Sequence, residues 1–158
     1  MVSILIVSMA QVSDIHDEFS SLYFVKEDGD ENQDVTSMSE FIWRRSKSNS
    51  NVKAHGFSFY YARRIFDTGK FHIGTEDMSQ PLARQYRSHS VGRAHLQPNK
   101  ILLVCETDED PSGKTRIYSA RVLEHNSKLA KEFEGLEERY LLQSVKRDAD
   151  HLVKLMRY

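Results

Sequence analysis

NKILLVCETDEDPSGKTRIYSARVLE, residues 99–124, is the stretch whose reading decides the fold. It opens on a short continuous apolar run, NKILLVCET (99–107), the signature of a buried strand. DEDPSGK (108–114) follows, with Pro111 and Gly113 in a turn arrangement. TRIYSARVLE (115–124) then reads as the return strand of a hairpin. Leu102 and Leu103 fall on opposite faces of the first strand, and Leu103 is expected in the core.

Upstream the pattern stays mostly β. SSLYFVKE (20–27), DVTSMSEFIW (34–43) and VKAHGFSFYY (52–61) are rich in β-branched and aromatic residues and read as strands. The acidic DGDENQD (28–34) and the small, polar SKSNSN (46–51) read as loops. Helix signals are fewer. Asn126 or Ser127 caps NSKLAKEFEGL, with Leu129 and Phe133 on one face and Gly135 as a stop. PLARQYRSHS (81–90) is a weaker helix with Pro81 in its first turn. The tail EERYLLQSVKRDADHLVKLMRY (137–158) reads as a helix or as a closing hairpin about a DAD turn, and the hairpin is preferred. The expected architecture is a single, mainly β domain, antiparallel and barrel-like, with one or two short helices. Residues 1–19 lead in, 68–98 form an insertion, and 125–158 supply a helix and closing strands.

Composition bounds what the chain does. At 158 residues, 39 % apolar and 28 % charged, it is long enough and apolar enough for one folded domain. A net charge of −1 excludes attraction of the whole chain to nucleic acid, so any basic surface is local. Cys105 is the single cysteine, which rules out an internal disulfide and suits a reducing compartment. The apolar start MVSILIVSMAQVSD lacks a basic flank and falls short of a membrane span. It is expected to be a strand or amphipathic turn.

Catalytic signatures are scarce. The chain has no GxSxG, P-loop, dinucleotide-binding glycine fingerprint or HExxH. His89 and His95 are the closest histidine pair worth naming, and they sit without cysteine partners. Cys105 lies inside an apolar run and reads as a buried thiol. Glu106, Asp108, Glu109 and Asp110 read as a solvated acidic turn.

NVKAHGFSFYYARRIFD (51–67) raises the functional question. As a strand it would place Lys53, His55, Phe57, Phe59 and Tyr61 on one face, and the small residues with Tyr60 on the other. Phe57 and Phe59 are expected in the core. The tyrosines suit a rim, where a cationic ligand would be held by cation–π attraction. Arg63 and Arg64 end the strand, with Asp67 close behind.

The order of segments resembles the bromo-adjacent homology (BAH) family of chromatin proteins. LYFVKEDGDENQDVTSMSEF, NVKAHGFSFYYARRIFD and HLQPNKILLVCETDE carry the likeness. With TRIYSARVLE they cover roughly residues 20–124. The origin-recognition and Sir-type silencing branches are the most similar. The resemblance implies a β-barrel fold that docks on nucleosomes or histone tails. Some origin-type members hold a dimethylated lysine of histone H4 in an aromatic cage. Carried over position by position, the cage tryptophan falls on Tyr60 or Tyr61 and its acidic partner near Asp67. The two cage tyrosines fall near Asp34 and Val104, which are not aromatic, so docking without a cage fits better.

Basic residues then matter most: Arg44, Arg45 and Lys47 at the first loop, Arg63 and Arg64, and Arg84, Arg87 and Arg93 in the insertion. Arginine serves both DNA phosphates and an acidic histone patch. The expected ligand-binding set is Arg44, Arg45, Lys47, Tyr60, Tyr61, Arg63, Arg64 and Asp67. The expected function is a nuclear, non-catalytic module that binds nucleosomes or histones beside other subunits of a chromatin complex, with DNA-phosphate contacts, no cofactor and no membrane partner. The alternative is a small β-barrel scaffold for protein partners without a chromatin role. A hydrolase or nuclease using Asp, Glu and His is a third reading, less favoured.

Overall fold

The computed structural model describes residues 17–67, 71–73, 87–108 and 110–156. The chain divides into two compact units, Met1–Val122 and Leu123–Tyr158.

The first unit is built on one sheet. Its strands are β1 (Thr36–Ser37), β2 (Phe41–Trp43), β3 (Phe71–Ile73), β4 (Ser88–Arg93), β5 (Ile101–Thr107) and β6 (Thr115–Val122). Their order is β1-β2-β6-β5-β4-β3. β5 and β6 pair antiparallel across the 108–114 turn, as the sequence predicts, from Leu102↔Val122 to Thr107↔Arg116. Gly113, at φ +74°, supplies the left-handed residue of that turn. β4 pairs antiparallel with β5, β3 with β4, and β1 with β2. β2 runs parallel to β6, with Ile42 opposite Arg116. The sheet is therefore mixed and, among the described residues, open, with β1 and β3 at its edges, so the mainly β, barrel-like expectation gives way to a mixed sheet in a chain with more residues in helices than in strands.

The larger correction lies at residues 45–67. The SKSNSN loop and most of the aromatic strand are helical: α1 spans Arg45–His55 and α2 spans Phe59–Ala62, continued by a 3-10 segment, Arg63–Asp67. Four of the polar residues that read as a loop, Ser46, Ser48, Asn49 and Asn51, find partners outside the helix. Ser46 N–H donates to Asp34 Oδ1 at 2.7 Å, closing the helix start. Asn49 takes the Glu27 N–H at 2.7 Å and returns a bond to the Glu27 carbonyl at 3.0 Å. Ser48 Oγ accepts from Phe59 N–H. Asn51 donates to the Phe57 carbonyl and accepts from Ala120 N–H of β6. Gly56, at φ +83°, ends α1 and donates to Val52 O. Tertiary hydrogen bonds, with no apolar stripe, thus fix this helix.

Residues 57–65 are buried almost without a break, so the strand alternation expected there does not exist. Phe57, Phe59, Tyr60 and Tyr61 join Tyr23, Phe41, Trp43, Leu102, Val104 and Ile117 in one core. Tyr60 meets Trp43 edge-on at 4.9 Å and stacks on Phe19 at 5.2 Å. The predicted 20–27 strand is a short 3-10 turn, Ser20–Leu22, followed by irregular chain, and the 34–43 strand is the two short strands β1 and β2.

The second unit holds α3, Lys128–Leu155, one helix of 28 residues. Ser127 caps it by accepting from Ala130 N–H at 3.2 Å, one of the two predicted caps. The preferred hairpin reading of the tail is wrong: the helix runs through Gly135 and the DAD segment. A helical glycine costs only about 1 kcal/mol against alanine, too little to stop a 28-residue helix. Of the predicted 81–90 helix, residues 88–90 belong to β4. Residue 87 is irregular, and residues 81–86, with Glu109 and residues 1–16, lie outside the described residues.

Candidate functional site

The β5–β6 register slips once. Cys105 pairs with Ser119 and Glu106 with Ile117, which leaves Tyr118 as the extra residue of a β-bulge. Bulges re-aim a side chain and locally raise the twist. Here the bulge turns Tyr118 into a half-open cavity of about 490 Å³.

Three elements bring cations to that cavity. The parallel β2–β6 pairing sets Trp43 opposite Ile117, so Arg44, the next residue and the N-cap of α1, falls beside Tyr118. Lys47 follows from the first turn of α1. Arg116 precedes Ile117 on β6. Arg87 enters from the start of β4, two strands away, and its guanidinium lies 3.7 Å from the centroid of the Tyr118 ring. Among the described residues the lining is Arg44, Lys47, Arg87, Arg116, Ile117 and Tyr118: four cations and no carboxylate.

Two of the cations are pre-positioned. Arg116 Nε donates to Asp110 Oδ2. Asp110 is itself held by the Ser112 hydroxyl and N–H, and those bonds, with Arg116, draw its carboxyl down to about 2. Arg87 is seated by the Tyr118 face, and its Nε is shut off from solvent without a hydrogen-bond partner among the described residues. A ligand entering this cavity meets two seated guanidinium groups, Arg87 and Arg116, beside the exposed side chains of Arg44 and Lys47, so part of the side-chain entropy cost of binding is already met. The chemistry offered is anion binding: phosphate or carboxylate, with an aromatic wall.

The expected site residues scatter. Arg44 and Lys47 line the cavity. Arg45 does not: its Nη2 donates to the carbonyls of Asp30 and Gln33, tying α1 to the acidic turn. Tyr60, Tyr61, Arg63 and Arg64 are interior residues, none more than 7 % exposed, so the binding-surface expectation for them is overturned. Arg63 Nη2 reaches Asp17 Oδ1 and Oδ2 at 3.0 and 2.9 Å, and Arg64 Nη1 reaches Asp17 at 3.2 Å and Asp67 at 3.3 Å. Tyr23 OH also donates to Asp17. Burial pushes the Asp17 carboxyl up, but the Tyr23 and Phe19 hydrogen bonds and the two guanidiniums outweigh it, and its pKa lies below the ordinary value. Burial, and then the bond to Asp17, raise the Tyr23 phenol far above its own. This is an internal ion cluster of two arginines on one carboxylate, with Asp67 at its edge.

The sequence reading missed Arg116 and Tyr118. Both sit in TRIY, read only as the return strand; the bulge that aims them has no sequence signature. The remaining chemistry is quiet. His89 and Cys105 border a separate cavity of about 180 Å³ with His55 and Ser119. Burial, then Arg121, depresses the His89 imidazole, and burial raises the Cys105 thiol, which disfavours the reactive thiolate. Among the described residues no group of three or more His, Cys, Asp and Glu is arranged to hold a metal ion, and no described helix is long and apolar enough to cross a membrane. Comparison with protein-family models, with curated proteins and with solved structures finds no match to this chain.

Proposed function

We propose that this chain is a non-catalytic docking module that grips a polyanionic surface through the Arg44–Lys47–Arg87–Arg116 cavity, and that the surface is a nucleosome. The observation that carries the reading is a local cluster of four cations, with no carboxylate in the described cavity wall, on a chain whose net charge is −1. Such local focusing attracts an anionic partner without making the whole chain sticky. The resemblance of residues 20–124 to bromo-adjacent homology domains points the same way and names the nucleosome among anionic partners. A methyl-lysine cage gains no support, because Tyr23, Trp43, Tyr60 and Tyr61 are all consumed by the core. Docking therefore runs through phosphates or acidic histone side chains.

The test is salt-dependent binding to reconstituted nucleosomes, with free DNA and isolated histone tails as comparisons. The double variant Arg44→Ala/Lys47→Ala is expected to weaken nucleosome binding and to flatten its salt slope by about one unit for each phosphate no longer neutralised. Binding that is absent, or indifferent to salt and to this variant, overturns the reading in favour of a protein scaffold with no chromatin role.

A further inference from the structure

The cationic cavity holds more positive charge than its own walls answer. Of Arg44, Lys47, Arg87 and Arg116, only Arg116 makes an ion pair among the described residues, with Asp110. Asp110 engages it through Nε, so both Nη groups are left to donate elsewhere. Arg87 Nε, shut off from solvent, has no acceptor among the described residues. Like charges gathered around one hollow repel, and a guanidinium N–H without an acceptor forgoes a hydrogen bond. Both costs fall when an anion enters.

The shape of the hollow narrows the anion. At about 490 Å³ it has room for one protruding group on a short stem. Duplex DNA presents its phosphates in an unbroken line, one per about 3.4 Å of axis on each strand. Such a line matches cations set in a row. Here they converge on one hollow from the starts of α1 and β4 and from β6. A carboxylate brings one charge and two oxygens. A phosphomonoester brings about 1.5 to 2 negative charges at pH 7 and three acceptor oxygens. That suits three cations without a carboxylate of their own, two of them guanidinium forks.

The opening narrows the carrier. Half-open walls cannot enclose most of a free metabolite, as a small-molecule site does. The first unit's exposed large apolar side chains are Phe24, Val25, Val35 and Leu96. None of them lines the cavity, so nothing described there inserts beside a lipid headgroup. A protein chain carrying the phosphate makes its remaining contacts outside the hollow, the mode in which arginine clusters recognise phosphorylated segments.

We propose that this cavity receives the phosphomonoester of a phosphoserine or phosphothreonine side chain on a partner protein, which rests on the reading of the cavity as the docking site and adds the chemistry of what enters it.

Fluorescein-labelled peptide pools with a central phosphoserine or phosphothreonine and randomised flanks, titrated with the full chain by fluorescence anisotropy, test it. The phosphorylated pools are expected to bind at least about tenfold more tightly than matched unphosphorylated pools, and more tightly than a pool with a central aspartate. Affinity is expected to rise at least about threefold from about pH 5 to about pH 7.5, because a phosphomonoester takes its second charge near pH 6. No histidine lines the described wall, and Asp110, drawn to about 2, stays ionised throughout, so the ligand is the group that titrates. Arg44→Ala/Lys47→Ala, at two exposed positions, should lose the preference and keep the parent's circular dichroism and thermal midpoint. Lys131→Ala/Lys146→Ala removes the same charge from exposed positions outside the cavity lining and should bind like the parent.

Equal affinity for phosphorylated and unphosphorylated pools overturns the proposal. So does a preference that ignores pH or survives Arg44→Ala/Lys47→Ala. Free phosphoserine or inorganic phosphate binding as tightly as the pools assigns the cavity to a small molecule, and tighter binding to phosphatidic acid vesicles assigns it to a membrane; each overturns the proposal. Unmodified nucleosomes bound through Arg44 and Lys47, with phosphorylated pools ignored, leave the nucleosome reading standing and overturn this one. Phosphorylated pools bound through the same cations, with nucleosomes ignored, support this one and overturn the nucleosome.

Discussion

Asp17 accepts two hydrogen bonds from Nη2 of Arg63, at 2.9 and 3.0 Å, in a site where both side chains are less than a tenth exposed. The same carboxylate serves Arg64. Removing it takes from the buried Arg63 its carboxylate partner and leaves Arg64 with the more exposed Asp67 and with His95. Asp17→Ala is expected to destabilise the fold by about 3–5 kcal/mol in chemical denaturation. Asp67→Ala, whose carboxylate is 44 % exposed, should change stability by no more than about 1 kcal/mol. Equal losses for the two would show that the cluster does not hinge on Asp17.

The same cluster fixes a pH dependence. The Asp17 carboxyl titrates below its ordinary value in the folded chain, and so does Asp110, drawn to about 2 by Ser112 and Arg116. A depressed folded pKa means the unfolded state binds protons first. The stabilisation is therefore complete above the unfolded carboxyl value, near pH 4, and drains away as pH falls through the folded values. Denaturation midpoints measured from pH 6 to pH 2 should fall mainly below about pH 4, and Asp17→Asn should flatten that fall. A steep loss between pH 5 and 7 would assign the dependence to histidine instead.

Leu102 and Leu103 divide between the two faces of β5 as the sequence predicts, but the core takes Leu102, fully buried, while Leu103 is half-buried and borders the Cys105 cavity. Leu102→Ala should cost about 2–5 kcal/mol and Leu103→Ala clearly less. Thermal or urea unfolding of the two variants decides the order, and the reverse order would mean that the strand faces are exchanged.

Gly92 lies on β4 opposite Leu102, directly under Ile65 of the 3-10 segment. A Cβ at Gly92 would come within 2.9 Å of Ile65 Cβ, which is fixed close to the backbone and cannot swing away. Gly92→Ala is expected to destabilise by about 1–3 kcal/mol, the usual cost of overpacking. Pairing it with Ile65→Gly, which removes the Cβ, should recover part of that loss relative to the sum of the single changes. Strict additivity would show that the two residues do not press on each other.

The sheet was legible where side chains advertise their environment. The run ILLVC, the Pro-Gly turn and the TRIYSARV return leave little choice but a hairpin, and it is there. Ser127 announced the start of α3 through ordinary capping chemistry. The helix at 45–55 was not legible, because its Ser and Asn side chains are the ones that usually favour loops. They are helical here since Asp34, Glu27, Phe57, Phe59 and Ala120, most of them distant in sequence, supply partners. The aromatic run at 57–61 misled for a related reason. Alternation predicts one buried face, and a short helix wrapped entirely by core buries every side chain. Of the candidate site, Arg44 and Lys47 were visible as loop-flanking cations. Tyr118 and Arg116 were not, because a one-residue slip in register decides where they point.

Tyr118 is where that slip acquires a consequence. Its ring faces the Arg87 guanidinium at 3.7 Å, so the ring's electron-rich face seats a cation at the cavity wall. An exposed cation–π contact is worth about 0.5–1 kcal/mol, which converts to roughly a two- to fivefold change in affinity if the seated arginine touches the ligand. Tyr118→Leu keeps apolar bulk and removes the ring; nucleosome affinity is expected to drop by that factor. Tyr118→Phe keeps the ring and should bind like the parent. Because Tyr118 is only partly buried at a bulge, both variants should unfold close to the parent midpoint, which separates a binding effect from a folding one. A phenylalanine variant that loses as much affinity as the leucine variant would assign the effect to the hydroxyl, and a leucine variant that binds like the parent would remove Arg87 from the docking surface.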